Sequence, residues 1–187
     1  MINKIINIEQ LNKSYSLKNS NLLILENINF ELQENSVVSI MGPSGCGKST
    51  FLNIIGLLDS EFEGNYDLLN QNAIKLSVHE KNLLRNNSIG FVHQFFHLIP
   101  ELTVLENVAL PKMIQTNNTK ESIVSAKYLV EKFGLAERVN FKPLNLSGGE
   151  QQRVAIARAL INNPQIILGL IFYFWLGLIF CFKSVRG

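Results

Sequence analysis

Cysteine is nearly absent from this chain of 187 residues: Cys46 and Cys181 are the only two, too few for a disulfide framework of the secreted kind. Charge is scarce as well, at 17% of residues, and almost balanced, with 17 Lys plus Arg against 15 Asp plus Glu. A formal net charge of +2 leaves no concentrated basic face, which argues against a dedicated nucleic-acid binder. Internal repeats and low-complexity linkers are missing as well. The opening residues MINKIINIEQLNK hold no apolar h-region. No signal peptide is therefore expected, and the body of the chain is expected in the cytosol. What the chain does have is apolar content, 47%, enough to exclude disorder over most of its length. The length fits one domain with a core of its own.

The apolar residues are patterned. In ENINFELQ, Ile28, Phe30 and Leu32 alternate with polar neighbours, the period of a half-buried strand. VVSIM (37–41) is a continuous apolar run, as expected of a central parallel strand covered on both faces. A glycine-rich turn follows, then KSTFLNIIGLLD, which reads as a helix. Further helices are expected around SVHEKNLLR, over 101–108, from Asn118 to a stop at Gly134, and from Ser147 to just before Pro164. Asn118 with Glu121, and Ser147 with Glu150, have the spacing of capping boxes. IGFVH (89–93) and QIIL (165–168) read as buried strands. Strand, glycine loop and helix in this order belong to α/β nucleotide folds.

Gly42, Pro43, Ser44, Gly45, Cys46, Gly47, Lys48 and Ser49 match G-x-x-x-x-G-K-[ST] between that strand and that helix. Glycines allow backbone N–H groups to turn inward around phosphates, and the helix N-terminus adds positive potential. Lys48 is expected to reach the β and γ phosphates of ATP, and the Ser49 hydroxyl to ligate Mg²⁺. Thr50 belongs to the same nucleotide-contacting run. Cys46 occupies a variable position of the motif; redox control there is the lesser reading. His93 and His97 have the i, i+4 spacing of metal ligands, but no carboxylate or cysteine is near them in sequence.

About a hundred residues further on lies LSGGEQQ (146–152), a helix start built from small residues. Together with the phosphate loop it resembles the signature motif of ABC-transporter ATPases, a likeness that runs from about Lys4 to Leu168. The resemblance implies an α/β P-loop nucleotide-binding domain with a parallel core sheet, an N-terminal antiparallel β part, and a helical subdomain over about 70–141. It implies that Tyr15 stacks on adenine, and that Gln94 touches Mg²⁺ and faces a membrane permease. It also implies that Ser147, Gly148 and Gly149 contact ATP held by a second copy in a head-to-tail dimer. The strings MGPSGCGKSTFLNIIGLLD, FFHLIPELTVLENVALP and LSGGEQQRVAIARAL are similar to the lipoprotein-releasing and macrolide-exporting subfamily. That likeness implies an ATP-hydrolysing subunit peripheral to the inner face of the cell membrane, with a permease as partner. His93 departs from it, standing where Phe is usual.

A larger departure comes at the end. The family continues past its last strand with Asp-Glu, and counting from Pro164 puts Leu170 and Ile171 at those positions. Neither side chain can orient a Mg²⁺ shell or polarise water, so no intact catalytic carboxylate is expected and hydrolysis should be deficient. The later D-loop and switch histidine are missing too. The run IILGLIFYFWLGLIFCF (166–182) is just long enough to be a membrane span. Lys183 and Arg186 follow it, against the positive-inside tendency. An interrupted frame after Leu168 is therefore preferred to an anchor, with 1–168 an incomplete ATP-binding domain and 169–187 an aberrant apolar tail. Uncovered sheet edges are expected. A non-catalytic ATP-binding regulator and a membrane-tethered nucleotide-binding module are the alternatives.

Overall fold

The structure, a computed structural model, describes residues 4–17, 20–171 and 176–181. Two long strands, β1 (Lys4–Leu17) and β2 (Ser20–Gln33), pair antiparallel into a hairpin, and β1 also pairs antiparallel with β4 (Glu63–Leu68), which carries the short β5 (Gln71–Asn72). The pairing is interrupted by bulges. Gln10 and Asn27 take positive φ there. Asparagine side chains hold both in place: Asn29 Oδ1 accepts from Gln10 N–H at 3.0 Å, and Asn12 Oδ1 accepts from Asn27 N–H at 2.8 Å. In β2 the expected alternation is realised, with Ile28, Phe30 and Leu32 turned inward between exposed Asn27, Asn29 and Glu31.

A second sheet has the order β3 (Val37–Met41), β8 (Leu176–Cys181), β7 (Ile166–Ile171), β6 (Ile89–Val92). Only β6 and β7 are parallel; β8 runs antiparallel to both its neighbours. Two expectations change here. β7 has a partner on each side, because part of the tail is itself a strand. β3 stands at the sheet edge rather than at its centre, among the described residues. Its even positions, Val38 and Ile40, pack on the core, while Val37 is 60% and Met41 73% exposed. The apolar run of β3 is thus covered on one face only. Among the described residues no helix is long and apolar enough to cross a membrane. The rest of the tail, 172–175 and 182–187, lies outside the described residues.

Among the described residues five α-helices complete the fold: α1 (Lys48–Ile55), α2 (Val78–Ser88), α3 (Val104–Thr116), α4 (Thr119–Lys132) and α5 (Gly148–Leu160). Capping boxes close α2, α3 and α5, through Ser77 with Glu80, Thr103 with Glu106, and Ser147 with Glu150. At α4 only half of the expected box forms. Asn118 accepts from Glu121 N–H, while the Glu121 carboxylate turns to Lys112 at 3.4 Å. Beside a small cluster of Val92, Ala159 and Ile167, two larger apolar clusters result among the described residues. One packs α1 between the two sheets around Ile6, Ile54, Ile55, Leu68 and Ile166; the other joins α3, α4 and α5 around Val104, Val108, Val130 and Val154. Each such side chain contributes about 1.5–3 kcal/mol on burial.

Among the described residues of the helical part, two polar side chains are wholly buried, Ser122 on α4 and Asn107 on α3. Asn107 accepts from Ile99 N–H at 2.8 Å and donates to the carbonyls of Ile99, Leu102 and Thr103 at 3.0–3.1 Å. It pins the segment that runs from β6 into α3. Asn107→Leu takes the side-chain acceptor from the Ile99 N–H and a donor from three carbonyls, of which Ile99 and Thr103 keep backbone partners, and should lower stability by about 1–3 kcal/mol. The urea midpoint should fall at unchanged slope; a midpoint equal to that of the parent chain would refute this account.

Candidate nucleotide-binding site

The glycine loop leaves β3 at Met41 and enters α1 at Lys48. Gly45 (φ 80°) and Gly47 (φ 92°) hold left-handed conformations that an L side chain resists. At Gly47 space is also closed, since an added Cβ would lie 2.9 Å from Leu25 Cδ2 and 3.1 Å from Ile24 Cγ2. The loop backbone is therefore pressed directly on β2. The Lys48 ammonium donates to the Gly42 and Pro43 carbonyls, each at 2.7 Å, and lies 3.4 Å from Cys46 Sγ. Ser49 and Thr50 sit in the first turn of α1, Ser49 exposed and Thr50 half-buried; Pro43, Ser44 and Cys46 are exposed around them.

These residues fit a polyphosphate. Among the five α-helices, α1 alone has no side-chain hydrogen bond at its N-cap, which is Gly47, and no acidic residue in its first turn. No side-chain cap and no acidic side chain competes there with an anion, and a lysine cation lies beside it. A divalent cation fits less completely. Ser49 and Gln94 offer one hydroxyl and one amide oxygen, and no cluster of three His, Cys, Asp or Glu side chains occurs among the described residues. A magnesium ion at this site would need phosphate oxygens and water for its remaining ligands.

Tyr15 lies on β1, 41% exposed. Its neighbour on the same strand face, Lys13, is 2% exposed and pairs across the hairpin with Leu25, the residue pressed by Gly47. The Lys13 ammonium sits 4.7 Å from the Tyr15 ring centroid and 2.9 Å from Asp59 Oδ2. Burial alone would raise the Asp59 carboxyl, yet Lys13 and the Glu61 N–H hold it below the usual range. Sequence reasoning missed this pair. The alternation of Lys13 and Tyr15 along one strand was the available signal.

Gln94 is half-buried in the loop after β6, beside Phe95, which is 72% exposed. Phe96 (φ 58°) and His97 (φ 45°) are left-handed in succession. Arg158, on α5, fixes both, donating to the Phe96 carbonyl at 2.6 Å and to the His97 carbonyl at 2.7 Å. A lone arginine within the apolar run VAIARALI was its signal. The His93 and His97 rings stack, with centroids 4.5 Å apart, and Phe91 stacks on His93 in turn. Stacked imidazoles present faces rather than converging nitrogens, so the pair does not form a chelating site. Burial, with His97 and Arg158 close by, pushes the His93 pKa down. These residues line a cavity of about 570 Å³ between α2, α3, α5 and β6, with Arg85, Asn86 and Asn162 on its other walls.

At the far end of α5, Ser147, Gly148 and Gly149 are all exposed, and a Cβ on either glycine would meet open space. The Ser147 hydroxyl donates to Glu150 Oε2 at 2.8 Å and accepts from Glu150 N–H at 3.3 Å. Leu170 and Ile171 end β7. By register, Leu170 aligns with Gly177 of β8 and through it with Ile40, and Ile171 with Leu176 and Met41. Both positions therefore lie at the sheet end from which the glycine loop departs, two strands or about 10 Å from β3.

This chain belongs to the family of ABC transporters, whose family model matches residues 25–169. It is 43% identical over 164 residues to the lipoprotein-releasing system ATP-binding protein LolD of Pseudoalteromonas translucida (strain TAC 125), covering 88% of this chain and 71% of that relative. To the uncharacterized ABC transporter ATP-binding protein YvrO of Bacillus subtilis (strain 168) it is 47% identical over 163 residues, 87% of this chain and 71% of the relative. Its fold is similar to the ATP-binding cassette MJ0796, solved as a dimer in a post-hydrolysis state with ADP and Pi. There the TM-score is 0.81 at 44% identity, over 88% of this chain and 72% of that one. The fold is thus that of an ABC ATPase, a family that binds and hydrolyses ATP.

The signature helix carries a pH dependence. Its cap, chiefly the Ser147 N–H and hydroxyl and then Arg138 at 3.0 Å, holds the Glu150 carboxyl down to about 2 from an ordinary 4.5. A depressed carboxyl stabilises the fold fully above 4.5 and loses that contribution as the pH falls toward 2. Glu150→Gln should flatten the acid limb of stability between those values, read by thermal unfolding at stepped pH, and an unaltered limb would contradict it. Ser147→Ala should cost about 1 kcal/mol at neutral pH.

Proposed function

We propose that this chain is the ATP-binding subunit of a membrane transporter that releases lipoproteins or exports peptides or macrolides, working from the inner face of the cell membrane. The observation that carries the ATP-binding part is the uncapped N-terminus of α1 behind a left-handed glycine loop, with Lys48 beside it. In this reading the loop from Gly42 to Thr50 binds the triphosphate, Tyr15 meets the adenine, and Ser49 and Gln94 assist a Mg²⁺ ion. When bound, that ion supplies charge neutralisation between the β and γ phosphates. Ser147, Gly148 and Gly149 reach the nucleotide of a second copy, a role supported by their exposure and by the dimeric state of MJ0796. The permease contacts the Gln94 loop and the helical subdomain over about 70–141, where the cavity beside His93 and Arg158 offers a surface.

The same reading makes this chain a poor hydrolase. Leu170 and Ile171 stand at the sheet end beside the glycine loop, where attack on the γ-phosphate needs carboxylates. Residues 1–168 act as an incomplete ATP-binding domain and 169–187 as its apolar extension. Retained binding without turnover also suits a non-catalytic regulator that dimerises on ATP.

Lys48→Ala should weaken ATP binding by about ten- to a hundredfold, the range for a charged hydrogen bond removed, measured by equilibrium titration. Unchanged affinity would refute the site. Steady-state phosphate release by the parent chain should stay at the level of that variant. Turnover in the ordinary enzyme range, about 1 to 10³ per second, would refute the deficiency.

A further inference from the structure

Lys13 is a charged side chain sealed inside the protein beside the aromatic ring at the edge of the nucleotide site. At 2% exposure, its ammonium has exchanged water for three polar contacts: Asp59 Oδ2 at 2.9 Å, Asp59 Oδ1 at 3.0 Å and the Glu61 carbonyl at 2.6 Å. The Tyr15 ring adds a fourth at 4.7 Å, and the Tyr15 hydroxyl reaches Asp59 Oδ2 at 3.5 Å. Both partners, Asp59 and Glu61, come from the segment that follows α1. Asp59 is tied to that helix by its own N–H, which donates to the Asn53 carbonyl at 3.2 Å.

An unpaired lysine here would be costly, and a paired one gains little stability over two apolar residues of the same volume. What the pair does supply is position. It couples a ring on β1 to the end of the helix that begins at the phosphate loop. It also places a cation against the electron-rich surface of that ring, an attraction that restricts how the ring can tilt. Stacking on a planar base depends on such tilt, and a ring free to rotate loses part of that contact to disorder.

We propose that Lys13, held by Asp59, is a positioning residue that sets the Tyr15 ring for stacking against the purine of the nucleotide. The inference rests on the reading of Tyr15 as the base-contacting residue, and it assigns to the base subsite a support that reaches the helix of the phosphate subsite.

The test compares two probes on the full chain, ATP and inorganic tripolyphosphate, which shares the phosphate loop but has no base. Tyr15→Ala should weaken ATP by about tenfold or more, the scale of one aromatic–base stack, and leave tripolyphosphate unchanged. Lys13→Met should weaken ATP by about three- to tenfold, again with tripolyphosphate unchanged. Should the partly buried Asp59 carboxylate, left alone, unfold that variant, Lys13→Met with Asp59→Leu removes the pair together and should show the same selective loss. ATP affinity equal to the parent in a folded Lys13 variant would overturn the proposal. Equal weakening of both probes would also overturn it, by reducing Lys13 to a structural role. Parent-like ATP binding in Tyr15→Ala would overturn the reading of Tyr15 itself, and the proposal with it.

Discussion

The contact between the glycine loop and β2 governs the geometry of the nucleotide site. Gly47 lies so close to Ile24 and Leu25 that no side chain fits between them, and its φ of 92° is one that few other residues tolerate. Because the loop backbone rests on a strand, its turn is defined by packing as well as by its own dihedrals. Leu25 in turn faces Lys13 across the hairpin. Gly47 and Lys13, far apart in sequence, therefore both abut the same residue of β2.

Sequence pattern reached much of this. The phosphate loop was legible because its glycines and lysine have a chemical purpose at fixed spacing, and helix α5 because Ser147 and Glu150 announce their own cap. Less could be read where a side chain acts across long sequence separation. Lys13 and Asp59 are 46 residues apart, and Arg158 meets the loop at Phe96 and His97 from 62 and 61 residues away. Periodicity carries no information on such pairs. Nor could the apolar run of β3 report how many of its faces would be covered, since burial on one side and on two produce the same string of valine, isoleucine and methionine.

The second sheet takes up part of the apolar run 166–182 as strand. Backbone pairing asks only for an extended segment of suitable length, and Leu176–Cys181 provides one, filling the place between β3 and β7. That arrangement satisfies ladder hydrogen bonds on both sides of β7. It leaves the outward positions of β3, Val37 and Met41, facing water. Exposed apolar side chains along an edge strand are the ordinary starting point of self-association, so the sheet gains internal pairing while keeping an adhesive border.

Helix α5 begins at the exposed serine and glycines of the signature and, 11 residues beyond Ser147, sends Arg158 to two carbonyls of the Gln94 loop. At 1.5 Å per residue that is a rod of about 16 Å. Its mid-portion is fastened by Val154 and Ala157 to the helical cluster. A rod so held does not bend readily; it tilts as a unit. Whatever shifts its serine end must carry the carbonyls of Phe96 and His97 with it or break both bonds. The two left-handed residues, Phe96 and His97, thus owe their conformation in part to bonds anchored 61 or more residues away, on a helix whose other end is the serine and glycine turn.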